Sequence, residues 1–209
     1  MQSRACKNFR VRYFNSSQDN TKMRLSRKFY KQDTVQVAQD LLGKILVRRI
    51  GRATLTGIIT ETEAYRHDDD PASHACSGMT TRNQAMFGDV GHAYVYFTYG
   101  MYHCVNVVAR DKEFLAGAVL IRALQPKSGI LTMKKNRKTD DIENLTSGPG
   151  KLTIALGITK KQYGEDLVKS KSLYIIDGIK PKKIISSSRI GIRNGLDKKW
   201  NFRFYSSSF

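Results

Sequence analysis

The sequence predicts one α+β domain, and three observations carry that expectation. Its 209 residues fit a single domain of ordinary size, long enough to bury a core without disulfides. Strand-like and helix-like stretches follow one another without regular alternation, which argues against a doubly wound parallel sheet. No internal repeat or interdomain linker divides them. The expected organisation is a basic arm over residues 1–28 and a single folded domain over 29–209.

Residues 1–28 are rich in Arg, Lys, Ser and Asn, with almost no acidic residue. Lacking the apolar core of a secretory signal, they read as a flexible basic arm, with an organelle-targeting peptide as the alternative. Asp33-Thr34 can cap a helix running through Val35, Ala38, Leu41 and Leu42 to a stop at Gly43. Residues 44–49 read as a strand, and the Thr- and Ile-rich stretch 55–63 as another, with Gly51-Arg52 in the turn between. A loop full of Asp, Ser and Gly spans 66–81, and a short helix covers 82–87. Strands follow at 93–97, 105–108 and 118–123, after which Gln125-Pro126 is expected to end that part of the sheet. Residues 134–144 are charged and read as a helix end plus an exposed loop. The turn Ser147-Gly148-Pro149-Gly150-Lys151 enters a helix holding Leu152, Ile154, Ala155 and Leu156. Residues 173–177 form a late strand. The segment 189–205 alternates Gly with basic residues before the aromatic cluster of Trp200, Phe202, Phe204 and Tyr205.

Charge narrows the function. With 36 Lys+Arg against 18 Asp+Glu, a net charge of +18 gives a strong positive potential that draws in nucleic acid or an anionic membrane. A lysine-rich composition without a polyanionic partner is the plain alternative. No apolar run approaches the roughly 18 residues of a membrane helix, so no membrane span is expected, and nucleic acid rather than membrane is the expected partner. Cys6, Cys76 and Cys104 are odd in number and widely spaced. That pattern excludes a disulfide framework and a zinc knuckle, and suits a reducing, intracellular compartment.

Chemistry-bearing residues concentrate between Glu61 and Arg122. In an extended segment Glu61 and Glu63 share one face, their Cα atoms about 6.5–7 Å apart. Such a pair could flank a glycosidic bond as acid and base, or be two solvated carboxylates at a strand end. His67-Asp68-Asp69-Asp70 with His74 offers donors for a divalent metal, although the spacing matches no defined metal motif. Tyr94 and Tyr96 share one strand face and Val95 and Phe97 the other. Tyr99-Gly100-Met101-Tyr102 reads as a tight turn carrying large side chains, either a wedge for a base stack or further core. Asn106 and Arg122 sit within apolar strands and need partners if buried; Glu63 is the obvious one for Arg122. The turn leading to Lys151 is a weak candidate phosphate seat. Aromatics that can sandwich a flat group, on a chain that attracts polyanions, suit a nucleobase carried by DNA.

From about Phe29 to Tyr205 the chain resembles the alkyladenine (3-methyladenine) DNA glycosylases, the type not built on a helix-hairpin-helix. The likeness is densest at 61–65, Ala72-Ser73-His74, Thr81-Arg82-Asn83 with Met86-Phe87, 94–106, 118–126 and Arg189-Ile190-Gly191. The resemblance implies a curved, mainly antiparallel sheet flanked by helices, and a monofunctional enzyme that releases alkylated or deaminated purines from duplex DNA. It makes Glu63 the base that activates water, aided by Arg122 and a backbone carbonyl near Ile192. Tyr65, His74 and Tyr96 would line the pocket for the flipped base, His74 donating a hydrogen bond to it, and Asn106 would clash with the amino group of guanine. Tyr99 would fill the gap in the duplex, with Met101, Tyr102, Arg82, Asn83, Met86 and Lys151 as further DNA-contacting candidates. No metal or cofactor is implied, the partner is double-stranded DNA containing damaged purines, and a monomer is expected. His103 and Thr98 depart from the family's pattern. Two rival readings stand beside this one: a metal-dependent nuclease using His67, Asp68, Asp70 and His74, and a non-catalytic nucleic-acid binder.

Overall fold

The computed structural model describes residues 23–98 and 100–205. Most of the basic arm therefore lies outside the described residues, but its last part belongs to the fold. Leu25 is buried, and its N–H donates to the Ile175 carbonyl at 3.0 Å. Helix α1 (Arg27–Tyr30) places Tyr30 in the core. The fold thus begins ahead of Phe29, where the sequence reading had started it.

Asp33 caps α2 (Thr34–Asp40), accepting from the N–H groups of Val35 at 2.9 Å and Gln36 at 3.2 Å, two donors that a helix start leaves unpaired. The strands β1 (Ile45–Ile50) and β2 (Ala53–Tyr65) form a hairpin around Gly51-Arg52. After the loop and α3 (Gln84–Phe87) come β3 (Ala93–Thr98), β4 (Tyr102–Val108) and β5 (Ala118–Ser128). Helices α4 (Ile130–Arg137) and α5 (Pro149–Ala155) follow, then β6 (Leu173–Ile176), β7 (Ile185–Ser187) and β8 (Asn201–Arg203).

All the strand pairings are antiparallel, in the order β3-β4-β5-β2-β1-β6, with β8 also on β2 and β7 on β8. The first half of β2 has β1 as its second neighbour and the last part has β8. Changing partners along one long strand lets the sheet curl. The architecture is the expected α+β one, a curved antiparallel sheet with helices packed on it. Among the described residues no helix is long and apolar enough to cross a membrane.

Two expectations are corrected. The sheet does not end at Gln125-Pro126, because β5 continues to Ser128. Pro126 lies opposite Gly57 at a register shift, while β4 pairs with β5 only over Ala118–Leu120, so the N–H that proline lacks is not needed by a second neighbour. Strands β7 and β8 were not anticipated; three residues each are too few for a period-two pattern to emerge.

One face of the sheet packs its Ile59, Val105, Val119 and Ile121 into the main core with Val37 and Ala38 of α2 and Leu152 and Ala155 of α5. Thr62 ties sheet to helix by donating its hydroxyl to the Ala38 carbonyl at 2.7 Å. The opposite face of β2 is left for Glu61, Glu63 and Tyr65.

Candidate active site

Register places a row of side chains across five strands. Asn201 of β8 pairs with Glu63 of β2, Glu63 with Leu120 of β5, Leu120 with Asn106 of β4, and Asn106 with Tyr94 of β3. Two irregularities of β2 with β5 lie just before the row. Thr60 has no counterpart on β5, because Ile59 faces Leu124 and Glu61 faces Ala123. The next pair is Thr62 with Ile121, which leaves Arg122 as an extra residue on β5. A bulge of this kind re-aims a side chain, and here it sets the guanidinium beside both carboxylates.

Glu63 is completely buried and accepts four hydrogen bonds. Its Oε1 receives the Ile190 N–H at 2.7 Å and Asn201 Nδ2 at 3.1 Å; its Oε2 receives the Tyr65 hydroxyl at 2.9 Å and Arg122 Nη1 at 3.1 Å. Four donors and no acceptor are the complement of a carboxylate. Glu61 shares two of these partners, its Oε1 lying 3.3 Å from Arg122 Nε and 2.7 Å from Asn201 Nδ2. Burial opposes the charge on Arg122, but Glu63 and Glu61 outweigh it and hold the guanidinium pKa above its ordinary value. Burial, and then the charge of Glu63, push the Tyr65 phenol well above its usual range, so Tyr65 stays a proton donor.

A cleft of about 700 Å³ opens beside this cluster. Tyr65, Arg122 and Ile190, each a donor to Glu63, form part of its wall, together with His74, Met86, Tyr94, Tyr96, Tyr102, Asn106, Lys151 and Ile192. Glu63 stands one layer behind them. The His74 ring meets Tyr96 edge-on, centroids 4.7 Å apart, and its Nδ1 lies 2.9 Å from the Tyr94 hydroxyl. His74 is open to solvent at the mouth of the cleft, yet desolvation by the walls, and then the charge of Arg82, lower its pKa. Burial raises the phenols of Tyr94 and Tyr96. Asn106 is buried, and its Nδ2 donates to the Tyr94 carbonyl at 3.0 Å. The structure thus brings Tyr65, His74, Tyr96, Asn106 and Arg122 around one cavity next to Glu63.

The remaining candidates divide. Arg82 is exposed, with its guanidinium 5.2 Å from the Tyr96 ring centroid. Met101 and Tyr102 are exposed on the hairpin between β3 and β4. Lys151 donates to Asn144 at 2.8 Å and Ser147 at 3.1 Å. Tyr99 lies outside the described residues. Asn83 and Met86 are both buried. Asn83 ties the loop together, donating to the carbonyls of His74 at 2.6 Å and Gly78 at 2.9 Å, while Met86 lies in the cleft wall.

The acidic run holds what sequence reasoning missed. Asp70 and Arg189, both side chains wholly buried, form a bidentate pair with two contacts of 2.6 Å. Arg189 also donates to the Ala64 carbonyl at 2.9 Å and lies 4.7 Å from the Tyr65 ring centroid and 5.3 Å from that of Trp200. Gly195, at φ +64°, leaves room for this guanidinium; a Cβ there would come within 3.0 Å of Arg189 Nη2. Asp70 is engaged by Arg189 and His74 Nδ1 lies against the Tyr94 hydroxyl, and among the described residues no three His, Cys, Asp or Glu side chains are grouped so as to hold a metal ion. Nothing local separates Asp70 from Asp68 and Asp69 in the same acidic run, so the sequence carried no hint of the pair.

The sequence matches the family described as Methylpurine-DNA glycosylase (MPG) over residues 28–208. It is 49% identical over 182 residues to a protein of Carboxydothermus hydrogenoformans, covering 86% of this chain and 94% of the relative. It is 43% identical over 202 residues to one of Clostridium perfringens, covering 90% and 98%, and 46% identical over 183 residues to one of Methanocella arvoryzae, covering 87% and 91%. Each of the three carries the name "Putative 3-methyladenine DNA glycosylase".

Proposed function

Because the chain belongs to the methylpurine-DNA glycosylase family, we propose that it hydrolyses the N-glycosidic bond of alkylated or deaminated purines in duplex DNA, opening base excision repair, with Glu63 as the group that activates water. One observation carries this reading: a fully buried carboxylate held by four donors, three of them from residues of the cleft wall. A flipped purine stacked among Tyr65, Tyr96 and His74 would bring its sugar towards that wall.

Glycosidic cleavage builds oxocarbenium character on the deoxyribose, and a nearby anion opposes that charge. A purine alkylated at N3 or N7 already carries positive charge and leaves without strong acid assistance, whereas a neutral deaminated purine relies on a proton donor to the base. Water then completes the displacement, and its proton passes to Glu63. Arg122 bonds Oε2 of the carboxylate at 3.1 Å and borders the cleft, so a water from the cleft that displaces one of the two donors on Oε2 would be held and polarised against both groups. The carbonyl of Ile192, another residue of the wall, is its proposed third contact. A Tyr94 hydroxyl that donates to Nδ1 of His74, 2.9 Å away, would leave the imidazole proton on Nε2, ready to donate to the base. Tyr99, which follows the last residue of β3, is the proposed wedge that fills the gap, with Met101, Tyr102, Arg82 and Lys151 contacting DNA around it. The chemistry calls for no metal.

The test is incubation with EDTA and a duplex carrying one hypoxanthine or methylated purine, followed by alkali. Free base and alkali-labile breaks at the lesion, undiminished by chelator, are expected. Breaks without alkali that vanish with EDTA would instead establish a metal-dependent nuclease, and binding without base release a non-catalytic binder.

A further inference from the structure

We infer that Asn201 is a positioning residue for this reaction: its amide, fixed across the sheet from Glu63, turns the carboxylate so that Oε2 is the oxygen presented to water. The inference rests on Glu63 being the group that activates water. Asn201 is fully buried and is the direct register partner of Glu63. Its Nδ2 bridges Glu61 Oε1 at 2.7 Å and Glu63 Oε1 at 3.1 Å, while the Ser187 hydroxyl lies 3.3 Å from its Oδ1. The two carboxylates, which only accept, fix the NH2 end of the amide towards the acids, and the Ser187 hydroxyl is left to donate to Oδ1.

Arg122 forms the other bridge, with Nε to Glu61 and Nη1 to Glu63. Two carboxylates and two bridging donors thus close a ring, one donor cationic and one neutral. The neutral member matters. One guanidinium between two carboxylates leaves the cluster with net negative charge to set against an oxocarbenium ion, and a second cation in place of Asn201 would cancel it. An apolar side chain there would leave the like-charged oxygens of Glu61 and Glu63 facing each other with no hydrogen between them.

The geometry also separates the two oxygens of Glu63. Asn201 and the Ile190 N–H hold Oε1, whereas the partners of Oε2 are Tyr65 and Arg122, both in the cleft wall. Without Asn201, one of the two restraints on Oε1 disappears and the carboxylate can rotate. Misplacing a reacting group by about 1 Å costs on the order of 10²-fold in rate.

Asn201→Leu keeps the size and removes the donor; Asn201→Ser keeps a hydroxyl too short to span both acids and guards against misfolding of the first variant. Each is measured in the full chain for single-turnover release of a methylated purine at saturating enzyme, for lesion-DNA Kd and for Tm, with Glu63→Gln alongside. The expected result is a rate loss of roughly 10–10²-fold in both variants, with Kd within about threefold of wild type. Folded variants with wild-type rates would overturn the inference. So would parallel losses of rate, affinity and Tm, which are the mark of a purely structural amide. If Glu63→Gln still excises, the reading of Glu63 itself fails. If Glu63→Gln is inactive while the Asn201 variants are normal, only the inference fails.

Discussion

The backbone N–H of Ile190 donates to Oε1 of Glu63 at 2.7 Å, across 127 positions of chain. The preceding residue, Arg189, is locked to Asp70. A segment poor in regular structure is therefore pinned at one residue by a buried ion pair and spends its next N–H on the proposed catalytic carboxylate. The cluster around Glu63 draws on β2, β5, β8 and this segment, so it exists only in the folded protein.

Glu63→Gln should bind lesion DNA and lose excision, since a positioned general base contributes about 10²–10⁴-fold. The structure adds a cost. All four partners of Glu63 are donors, so whichever way the amide turns, its NH2 group meets donors and leaves them unsatisfied, at about 1–3 kcal/mol. Single-turnover rates, lesion-DNA Kd and Tm measured together check this. Activity within tenfold of wild type would move the catalytic role elsewhere, with Glu61 next in line.

Much of this arrangement was legible from periodicity. Spacing by two put Glu61 with Glu63, and Tyr94 with Tyr96, on shared faces, and the Asp33 cap and the Gly51-Arg52 turn followed from local chemistry. Arg122 was suspected because a cation in an apolar strand needs a partner, but that it reaches Glu63 depends on a bulge, which no local pattern announces. Asn201 and the Asp70–Arg189 pair were hidden for another reason. Their partners lie more than a hundred positions away, and Asp70 sat in an acidic run that read as solvated or metal-binding. That Met86 walls the cleft and Asn83 braces a loop depends on how the loop folds back on the sheet, which no local pattern shows.

The depressed pKa of His74 sets a pH dependence. Folded, the imidazole takes up a proton less readily than it does unfolded, because of its desolvation and then Arg82. Its contribution to stability is therefore complete above the ordinary histidine value of about 6.5 and declines as pH falls below it. Thermal melts of His74→Gln should show a shallower loss of Tm than wild type on going from pH 7 to pH 5.5, and no difference between pH 7 and 8. Parallel curves throughout would place the acid-sensitive group elsewhere. Excision of a neutral lesion such as hypoxanthine should fall in this variant at every pH, because the donor to the base is changed.

Asn106→Ser should admit guanine-like bases. The Asn106 amide is held in the cleft wall by the Tyr94 carbonyl at 3.0 Å, so it cannot swing aside to accommodate an exocyclic amino group. Steric exclusion of this kind discriminates by about 1–3 kcal/mol. Release of undamaged guanine relative to adenine should therefore rise measurably in the variant. An unchanged ratio would make Asn106 a structural amide that braces β3 against β4.

Arg189→Met should be the most destabilising of these changes. It removes one partner of a wholly buried pair and leaves the Asp70 carboxylate without its two 2.6 Å contacts, a loss of about 3–5 kcal/mol. Replacing both partners, Arg189→Met with Asp70→Leu, should recover part of that stability, because no uncompensated charge then remains. Activity should not recover in step. The guanidinium also bonds the Ala64 carbonyl and stacks on Tyr65 and Trp200, so it sets where the chain begins its approach to Glu63, and an apolar pair cannot restore that. Denaturant melts and single-turnover rates on the single and double variants check both halves. A double variant that regains stability and full excision together would show that Ile190 reaches Glu63 without the clamp.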